Sequence, residues 1–281
     1  MIFNKIGLAV TFSPNGKALL QEAARLKKLF NTGLVLIHVG EKDDEREKAL
    51  IELISQNNIA PGDATIIWKQ GEPAKSILKA CEEENVDLLI AGALEKEKSI
   101  KYYIGSIARK IMREAACSVL IKISPKIPPV PYKHFCVSAI YSPEGEETIK
   151  AAHSFAAAEK AEKFLLIKEF QVPGLAMTVY DSGSMKETED NLNKWKSEEK
   201  EKLEFFAKEL NLEGLAVETE CLYGKDGYEA GTYAKQAKGD ILVIAGPKNR
   251  PSFFDRIFQH DQEFLFENIP CDLLIYKKRD K

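Results

Sequence analysis

The sequence predicts a tandem α/β protein in which each half is a doubly wound parallel sheet of five strands with helices on both faces. Three features of the 281 residues support this prediction. A proline-rich joint divides the chain, motifs on its two sides recur in the same order, and short apolar runs alternate with helical patterns. A chain of this length also favours two domains, because domains commonly contain about 100–200 residues.

The joint contains four prolines within residues 125–131. Proline fixes φ and lacks a backbone N–H, so this stretch is suited neither to a central strand nor to a helix. We expect an extended, semi-rigid linker at 125–132. It separates a first domain at 1–124 from a second domain at 133–281.

Two signatures recur on either side of this linker. Ser-Pro-x-Gly follows the first apolar run of each half, at 13–16 and at 142–145. Matching motifs at matching spacing indicate an internal duplication. The glycine after the fourth strand precedes a cysteine by 25 positions in both halves, from Gly92 to Cys117 and from Gly246 to Cys271.

Apolar runs suited to buried strands alternate with helical patterns, which in the first half include 19–30 and 77–84. The runs lack polar alternation, which indicates strands covered on both faces. Strand–helix alternation predicts right-handed crossovers in a parallel sheet. The runs are Ile6–Val10, Leu34–Val39, Thr65–Trp68, Leu88–Ala91 and Val119–Ile123 in the first half, and Phe135–Ile140, Leu242–Gly246 and Leu273–Ile275 in the second.

The second half carries an insertion of about two dozen residues near 171–196, judged from the spacing of the repeat. A helical apolar stripe follows at 187–210. One interpretation is a long helix packed on the sheet or on the other half. The other is a partner-binding helix or lid. The stripe consists of Leu192, Trp195, Leu203, Phe206 and Leu210.

Composition and charge argue against several classes of function. The net charge of −3 gives no reason for attraction to nucleic acid or to an anionic membrane, and no segment reaches the ~20 apolar residues that span a bilayer. The five scattered cysteines, without a CxxC motif, favour a reducing compartment and hence the cytoplasm. The N-terminal run is typical of a strand rather than a signal peptide. We expect no metal site, and we expect His38 to be a satisfied, partly buried core residue.

The residues that could bind a ligand follow the strands of the first half. In an open α/β sheet the crevice lies beyond the carboxyl ends of the strands, where strand order reverses. The helix after residue 105 begins with a glycine that allows close approach and a serine suited to capping, and its free amides suit a phosphate. The candidates are Thr11, Val39, Ala91, Gly92, Gly105, Ser106 and Ile107.

Two motifs of the first half carry a family resemblance. Residues 71–73 are Gly-Glu-Pro, and a helical pattern then leads to Asp-Leu-Leu-Ile-Ala-Gly at 87–92. This order resembles the Gly-x-Pro, helix, Asp-Leu-Ile pattern of the universal stress protein family, and the similarity covers nearly the whole first half. ATP-binding members carry Gly-x2-Gly-x9-Gly-Ser. Here Gly92 is followed by Glu95, nine further residues and Gly105-Ser106.

The resemblance implies a Rossmann-like (adenine nucleotide alpha hydrolase-like) fold with strand order 3-2-1-4-5 in each domain. It implies ATP or AMP as the ligand of the N-terminal domain only. Gly92, Gly105, Ser106 and Ile107 would surround phosphates and ribose, and Val39 would supply backbone contacts to adenine.

Departures from the family pattern affect both halves. Thr11 stands where the family has an acidic residue, and Glu95 replaces the second glycine. A carboxylate about 5 Å from a phosphate costs roughly 3 kcal/mol at an effective dielectric near 20, unless Glu95 points outward or pairs with a neighbouring lysine. In the second half Asn249 and Gln259-His260 replace the glycines and the Gly-Ser pair, so we expect that half to be structural or regulatory.

Three functions follow from this interpretation. The first is a stress-response signalling module whose last strands, Val119–Ile123 and Leu273–Tyr276, associate edge to edge as an intramolecular pseudo-dimer, with room for a further homodimer. The second is an interaction protein that binds no nucleotide and engages a protein partner or apolar ligand through the second domain. The third is a slow ATP hydrolase. The sequence offers no base, nucleophile and oxyanion set, which argues against an enzyme.

Overall fold

A computed structural model describes residues 2–12, 15–57, 59–60, 62–95, 102–103, 105–171, 185–224, 229–246 and 271–278. The strands of the first half are β1 (Lys5–Ala9), β2 (Gly33–Val39), β3 (Thr65–Lys69), β4 (Leu88–Gly92), β5 (Leu94–Glu95), β6 (Tyr102–Tyr103) and β7 (Ser118–Lys122). Those of the second half are β8 (His134–Ser138), β9 (Lys163–Phe170), β10 (Val217–Tyr223), β11 (Ile241–Ala245) and β12 (Asp272–Tyr276).

Ten of these strands form one continuous sheet in the order β10-β9-β8-β11-β12-β7-β4-β1-β2-β3. β5 and β6 form a separate ribbon. When only the strands of the large sheet are counted, each half contributes five parallel strands in the order 3-2-1-4-5, which confirms the predicted fold class. The halves join where β7 and β12, the fifth strand of each, pair antiparallel with Leu120 opposite Leu274. This pairing covers two edges that would otherwise expose free backbone groups.

Seven helices are described, and several begin at residues that the sequence marks as caps. Asp43, Glu72 and Ser142 accept first-turn backbone N–H groups with their side chains, which satisfies amides that have no acceptor inside a helix. The helices are α1 (Gly16–Phe30), α2 (Asp44–Ser55), α3 (Pro73–Glu83), α4 (Ser106–Glu114), α5 (Pro143–Glu159), α6 (Met185–Glu209) and α7 (Glu229–Gln236).

The core lies in two layers, one on each face of the sheet. Alternate residues of β2 show this division: Leu36 belongs to the layer that contains α1 and α5, whereas Ile37 belongs to the layer that contains α3 and α4. Both residues are buried almost completely. Burial of successive residues on opposite faces explains why the strands appear in the sequence as continuous apolar runs.

The linker is described in full and the second-half insertion in part. Residues 125–132 form neither helix nor strand, and residues 172–184 of the insertion lie outside the described residues. The apolar stripe lies along α6 and ends at Leu210 just after it; Leu203 and Leu210 are buried and Phe206 is partly buried against the core. The helix therefore packs on the second half, although Phe205 remains 63% exposed.

Candidate functional site

Several predicted first-half residues lie at the carboxyl ends of adjacent strands. Strand order reverses between β1 and β4, which is where open α/β sheets place a ligand crevice. The strand registers bring Thr11, Val39 and Gly92 to this same edge. Thr11 is exposed, whereas Val39 and Gly92 are half-buried.

Gly92 also has a packing role. A Cβ atom at this position would lie 2.9 Å from Cδ1 of Leu19 on α1, so a larger residue would push that side chain aside. The neighbouring Ala91 is buried in the layer beneath α3 and α4. The glycine that the motif suggests for ligand approach is therefore also favoured by helix–sheet packing.

Helix α4 begins at this edge because it connects the carboxyl end of β4 to the amino end of β7. Gly105 is its N-cap, with extended backbone (φ −63°, ψ 164°) and no side-chain capping bond. The first helical hydrogen bond runs from the Arg109 N–H to the Gly105 carbonyl, 2.9 Å. The interpretation of Ser106 as the cap was therefore wrong. The cap lies one residue earlier, at Gly105, and Ser106 is the exposed first residue of the helix. The amides of this first turn have no acceptor within the helix.

The segment between β4 and α4, predicted as a loop, contains a short antiparallel ribbon. Leu94 lies opposite Tyr103 and Glu95 opposite Tyr102. The backbone of Glu95 is thus placed in β5. Its side chain, and the lysines proposed to neutralise it, lie outside the described residues.

A column of aromatic rings, which the sequence pattern did not indicate, crosses the ends of β1, β2 and β3. The His38 ring centroid lies 5.0 Å from that of Phe12 and 4.6 Å from that of Trp68. His38 is buried, and its Nδ1 lies 3.1 Å from the Val10 carbonyl oxygen. The prediction of a satisfied core histidine is confirmed. Phe12 remains 48% exposed beside Thr11.

The second half has a different side chain at the position equivalent to Val39. Ala9 pairs with Ile37 in the first half and Ser138 with Ile167 in the second, so Glu169 corresponds to Val39. The Glu169 side chain is 4% exposed, and its Oε1 accepts the Ala230 N–H of α7 at 2.8 Å. The residue equivalent to Val39 is therefore a buried carboxylate that accepts an amide from the first turn of α7.

Helix α6 covers the end of β8 in this second half. Tyr141, the counterpart of Phe12, packs on Phe206 with ring centroids 5.0 Å apart, and the Lys168 Nζ lies 5.2 Å from the tyrosine ring. Burial, followed by the charge of Glu199, raises the pKa of Tyr141. The predicted replacements at Asn249, Gln259 and His260 lie outside the described residues.

A cluster of buried polar side chains joins the two halves beside the β7–β12 pair, and we call it the buried polar cluster. Sequence analysis missed it, although charged residues at the ends of two apolar runs were the available signal. Its members are Glu22 and Arg25 of α1, Lys122 of β7, Tyr132 of the linker, Glu159 of α5 and Asp272 of β12.

The contacts of this cluster cross repeatedly from one half to the other. The Arg25 guanidinium donates to both carboxylate oxygens of Glu159 at 2.8 and 2.7 Å. The Lys122 ammonium forms an ion pair with Asp272 and donates to the Tyr132 hydroxyl at 2.8 Å. That hydroxyl donates to Asp272 Oδ2 at 2.7 Å. Each charge therefore has an opposite charge and further hydrogen bonds, as a buried ion pair requires.

Glu22 makes the cluster sensitive to acid. Burial opposes its ionisation, but hydrogen bonds from Arg25 and the charge of Lys122 hold the pKa of Glu22 below its ordinary value. A carboxyl with a lowered folded-state pKa binds fewer protons folded than unfolded. It contributes stability above its unfolded pKa of about 4.3, and that contribution is lost as the pH falls through the folded pKa.

We therefore expect the free energy of unfolding to fall more steeply below about pH 4.3 in the wild type than in Glu22→Gln. Chemical unfolding between about pH 3 and 6 measures both slopes. Glu198→Gln, an exposed change on α6, is the matched control and should retain the wild-type slope. Parallel curves for the wild type and Glu22→Gln would contradict this prediction.

The remaining features of the described residues that bear on function are their potential metal ligands, the hydrophobicity of their helices and their cysteine thiols. Within these residues no group of three or more His, Cys, Asp and Glu side chains could hold a metal, and no helix has the length and apolarity to cross a membrane. All five cysteines are buried free thiols. Burial raises the pKa of Cys136 and of Cys221 to about 11, so both are protonated near neutral pH.

The fold defines the class of protein: two doubly wound parallel α/β sheets of order 3-2-1-4-5, joined through their fifth strands. Residues 2–122 match the model of the Universal stress protein family. This match covers nearly the whole first half, the part whose motifs carry the resemblance.

Similar proteins agree with this match. A universal stress protein of Methanothermobacter thermautotrophicus is 34% identical over 53 residues, which are 19% of this chain and 36% of the relative. One of Thermus aquaticus is 31% identical over 78 residues, or 28% of this chain and 56% of the relative. The chain thus matches about a third to about half of the length of these curated relatives.

A solved universal stress protein from Archaeoglobus fulgidus has the same fold over almost the whole chain. The TM-score is 0.68 at 14% sequence identity, and the alignment covers 98% of both chains. The similarity at this identity concerns the fold. It includes both halves, not only the part that matches the family model.

Proposed function

We propose that the protein is a stress-response signalling module whose first half binds ATP or AMP. The observation that carries this proposal is the start of α4. Its N-cap residue, Gly105, offers no side-chain acceptor to the first turn, and this turn lies at the edge where strand order reverses. The first amides of a helix have no acceptor within it, and together with the helix dipole they favour an anion at such a position.

The predicted residues take specific roles in this proposal. The amides of Ser106 and Ile107 and the Ser106 hydroxyl would hold phosphate oxygens. The backbone of Val39 would contact adenine, and the hydroxyl of Thr11 would replace the family's carboxylate. Ala91 and Gly92 would form the floor of the crevice. The protein would bind and report a nucleotide rather than turn it over, since these side chains include no general base.

We propose further that residues 1–124 and 133–281 are two domains joined by the 125–132 linker, and that they associate as an intramolecular pseudo-dimer. The antiparallel β7–β12 pair and the buried polar cluster support this division. The second domain would be structural or regulatory, because its position equivalent to Val39 is the buried carboxylate Glu169, which is bonded to α7. The buried thiols agree with a cytoplasmic location.

Ser106→Asp tests nucleotide binding without weakening the fold. A carboxylate in the first turn of α4 interacts favourably with the helix dipole, but it repels phosphate. We expect the Kd for ATP and AMP, measured by calorimetry, to rise by about tenfold or more, with an unchanged Tm in the absence of nucleotide. Ser154→Asp, at an exposed position on α5, should bind as the wild type does. Equal affinity of the wild type and Ser106→Asp would contradict the proposed site.

The main alternative is an interaction protein that binds no nucleotide and uses its second domain. The 63% exposure of Phe205 on α6 is the observation in its favour. Thermal shift with ATP in the wild type and in Glu95→Gly distinguishes the two functions. A larger shift in Glu95→Gly would support the nucleotide site and the repulsive role of Glu95, whereas no shift in either protein would favour the alternative. ATP hydrolysis that persists in Ser106→Asp would separate any hydrolase activity from this site.

A further inference from the structure

The β7–β12 junction has local twofold pseudosymmetry. Leu120 lies opposite Leu274, and the two are equivalent because each lies 28 positions after the glycine that ends the fourth apolar run of its half. Two copies of β7 in this register would therefore place Leu120 opposite itself. The backbone alone allows such a pair as readily as the observed one.

The side chains break this symmetry. In the observed pair Lys122 lies beside Asp272, and both are buried. A pair of two β7 strands would instead place Lys122 opposite Ser118 of the second copy. A pair of two β12 strands would place Asp272 opposite Tyr276. Two first halves would leave Lys122 with Glu22 but without its second carboxylate, and two second halves would leave Asp272 without the ammonium that it contacts.

The helices above the junction repeat this asymmetry. Arg25 of α1 is 17% exposed at its side chain and is held by both oxygens of Glu159 on α5, whose side chain is 2% exposed. A pair of first halves would lack Glu159. Removing one partner of a buried ion pair is strongly unfavourable, and such mismatches are how interfaces reject wrong partners.

We infer that the buried polar cluster is a specificity determinant: it fits the β7 edge of the first half to the β12 edge of the second half and rejects the same edge of another copy. The inference rests on the proposed division into two domains and does not depend on nucleotide binding. The role inferred for the cluster is to select the partner edge. Added stability is not the role, since buried ion pairs often contribute little net stability over apolar replacements.

The test uses the full chain with a protease recognition sequence inserted after the exposed Lys126 of the linker. The protein is folded first and then cleaved, so that only non-covalent contacts hold the halves. Native mass spectrometry after incubation counts mixed and homotypic pairs. The wild type is compared with a cluster-neutral variant that removes all five charges of the cluster, by Glu22→Gln, Arg25→Met, Lys122→Met, Glu159→Gln and Asp272→Asn. The control is Lys69→Met with Glu83→Gln, which removes a more exposed ion pair.

We expect the wild type and the control to keep the mixed pair with a preference of about a hundredfold over the statistical mixture. The cluster-neutral variant should approach that mixture. Homotypic pairs in the cleaved wild type, or an undiminished preference in the folded cluster-neutral variant, would overturn the inference. Unfolding of the wild type on cleavage would overturn the domain division and the inference with it, whereas the nucleotide tests would be unaffected.

A second variant, Asp272→Asn alone, serves if the cluster-neutral variant does not fold. Asp272→Asn retains the shape of the side chain and an oxygen that can accept from the Ile123 N–H, as Oδ1 does now at 2.8 Å. It should reduce the preference for the mixed pair at least about tenfold. A preference equal to that of the wild type would contradict the role of this carboxylate.

Discussion

Lys122→Met should lower the free energy of unfolding by about 3–5 kcal/mol, the cost of breaking a buried ion pair from one side. The ammonium is the cation that the Asp272 carboxylate contacts, and it also lies 3.2 Å from Glu22 Oε1. Methionine matches the length of lysine but offers neither charge nor donor. Two carboxylates then remain buried in a low-dielectric environment with less compensation.

Chemical denaturation of the full chain measures this effect. Lys69→Met is the matched control, because the Lys69–Glu83 pair is more exposed and such pairs contribute about 0–1 kcal/mol. A loss below about 1 kcal/mol in Lys122→Met would show that the cluster tolerates an unpaired carboxylate. The cluster-neutral variant should recover much of the loss, because it removes both sides of the pair.

Among the described glycines of the second half, Gly145 should be the one whose replacement by alanine destabilises the protein most. A Cβ at Gly145 would lie 1.9 Å from the Ile140 carbonyl oxygen. This atom belongs to the backbone, so the start of α5 and the end of β8 would have to separate. We expect a loss of about 3 kcal/mol in unfolding free energy, at the upper end of the usual cost of overpacking.

Gly231→Ala on α7 is the control for this change, since a Cβ built there would meet no atom of another described element within 4 Å. Alanine is preferred to glycine inside a helix by about 1 kcal/mol, so this variant should be as stable as the wild type or more so. Equal melting temperatures for the two alanine variants would contradict the proposed contact. Gly16 has the same relation to the Thr11 carbonyl oxygen, at 2.3 Å.

This repeated contact shows what the Ser-Pro-x-Gly signature encodes. In both halves the helix that follows the first strand starts against a carbonyl oxygen just beyond that strand, and only glycine fits there. The signature therefore marks the duplication in the amino-acid sequence alone. The strand positions of the first half were also predicted to within about a residue, because strands buried on both faces are continuous apolar runs.

Two strands of the second half were not located from the sequence. β9 includes Lys168 and Glu169, and β10 is an edge strand with Glu218 and Glu220 at partly or fully exposed positions. β9 contains the apolar run Phe164–Ile167, which sequence analysis missed, whereas β10 mixes polar and apolar residues. Charged residues occur there because an edge strand faces solvent and because Glu169 caps α7, which are both consequences of tertiary position.

The sequence indicated which segments meet at the candidate site better than it indicated how their residues are arranged. Spacing indicated which loops meet at the crevice, because parallel strands bring their carboxyl ends to one edge. It did not show that Gly105 rather than Ser106 is the cap of α4, nor that the rings of Phe12, His38 and Trp68 pack edge to face at the ends of β1, β2 and β3. Those features depend on backbone angles and on neighbours distant in the chain.

By itself the sequence determined the duplication and the α/β fold class, because both follow from local pattern and periodicity, whereas the strand order and the pairing of the fifth strands were implied by the family resemblance. Only the tertiary structure decided that Arg25 meets Glu159 and that Lys122 meets Asp272. These partners lie more than a hundred residues apart, and no periodicity links them. A buried charge reveals its partner only when the chain is folded, because the cost that makes pairing necessary arises from burial.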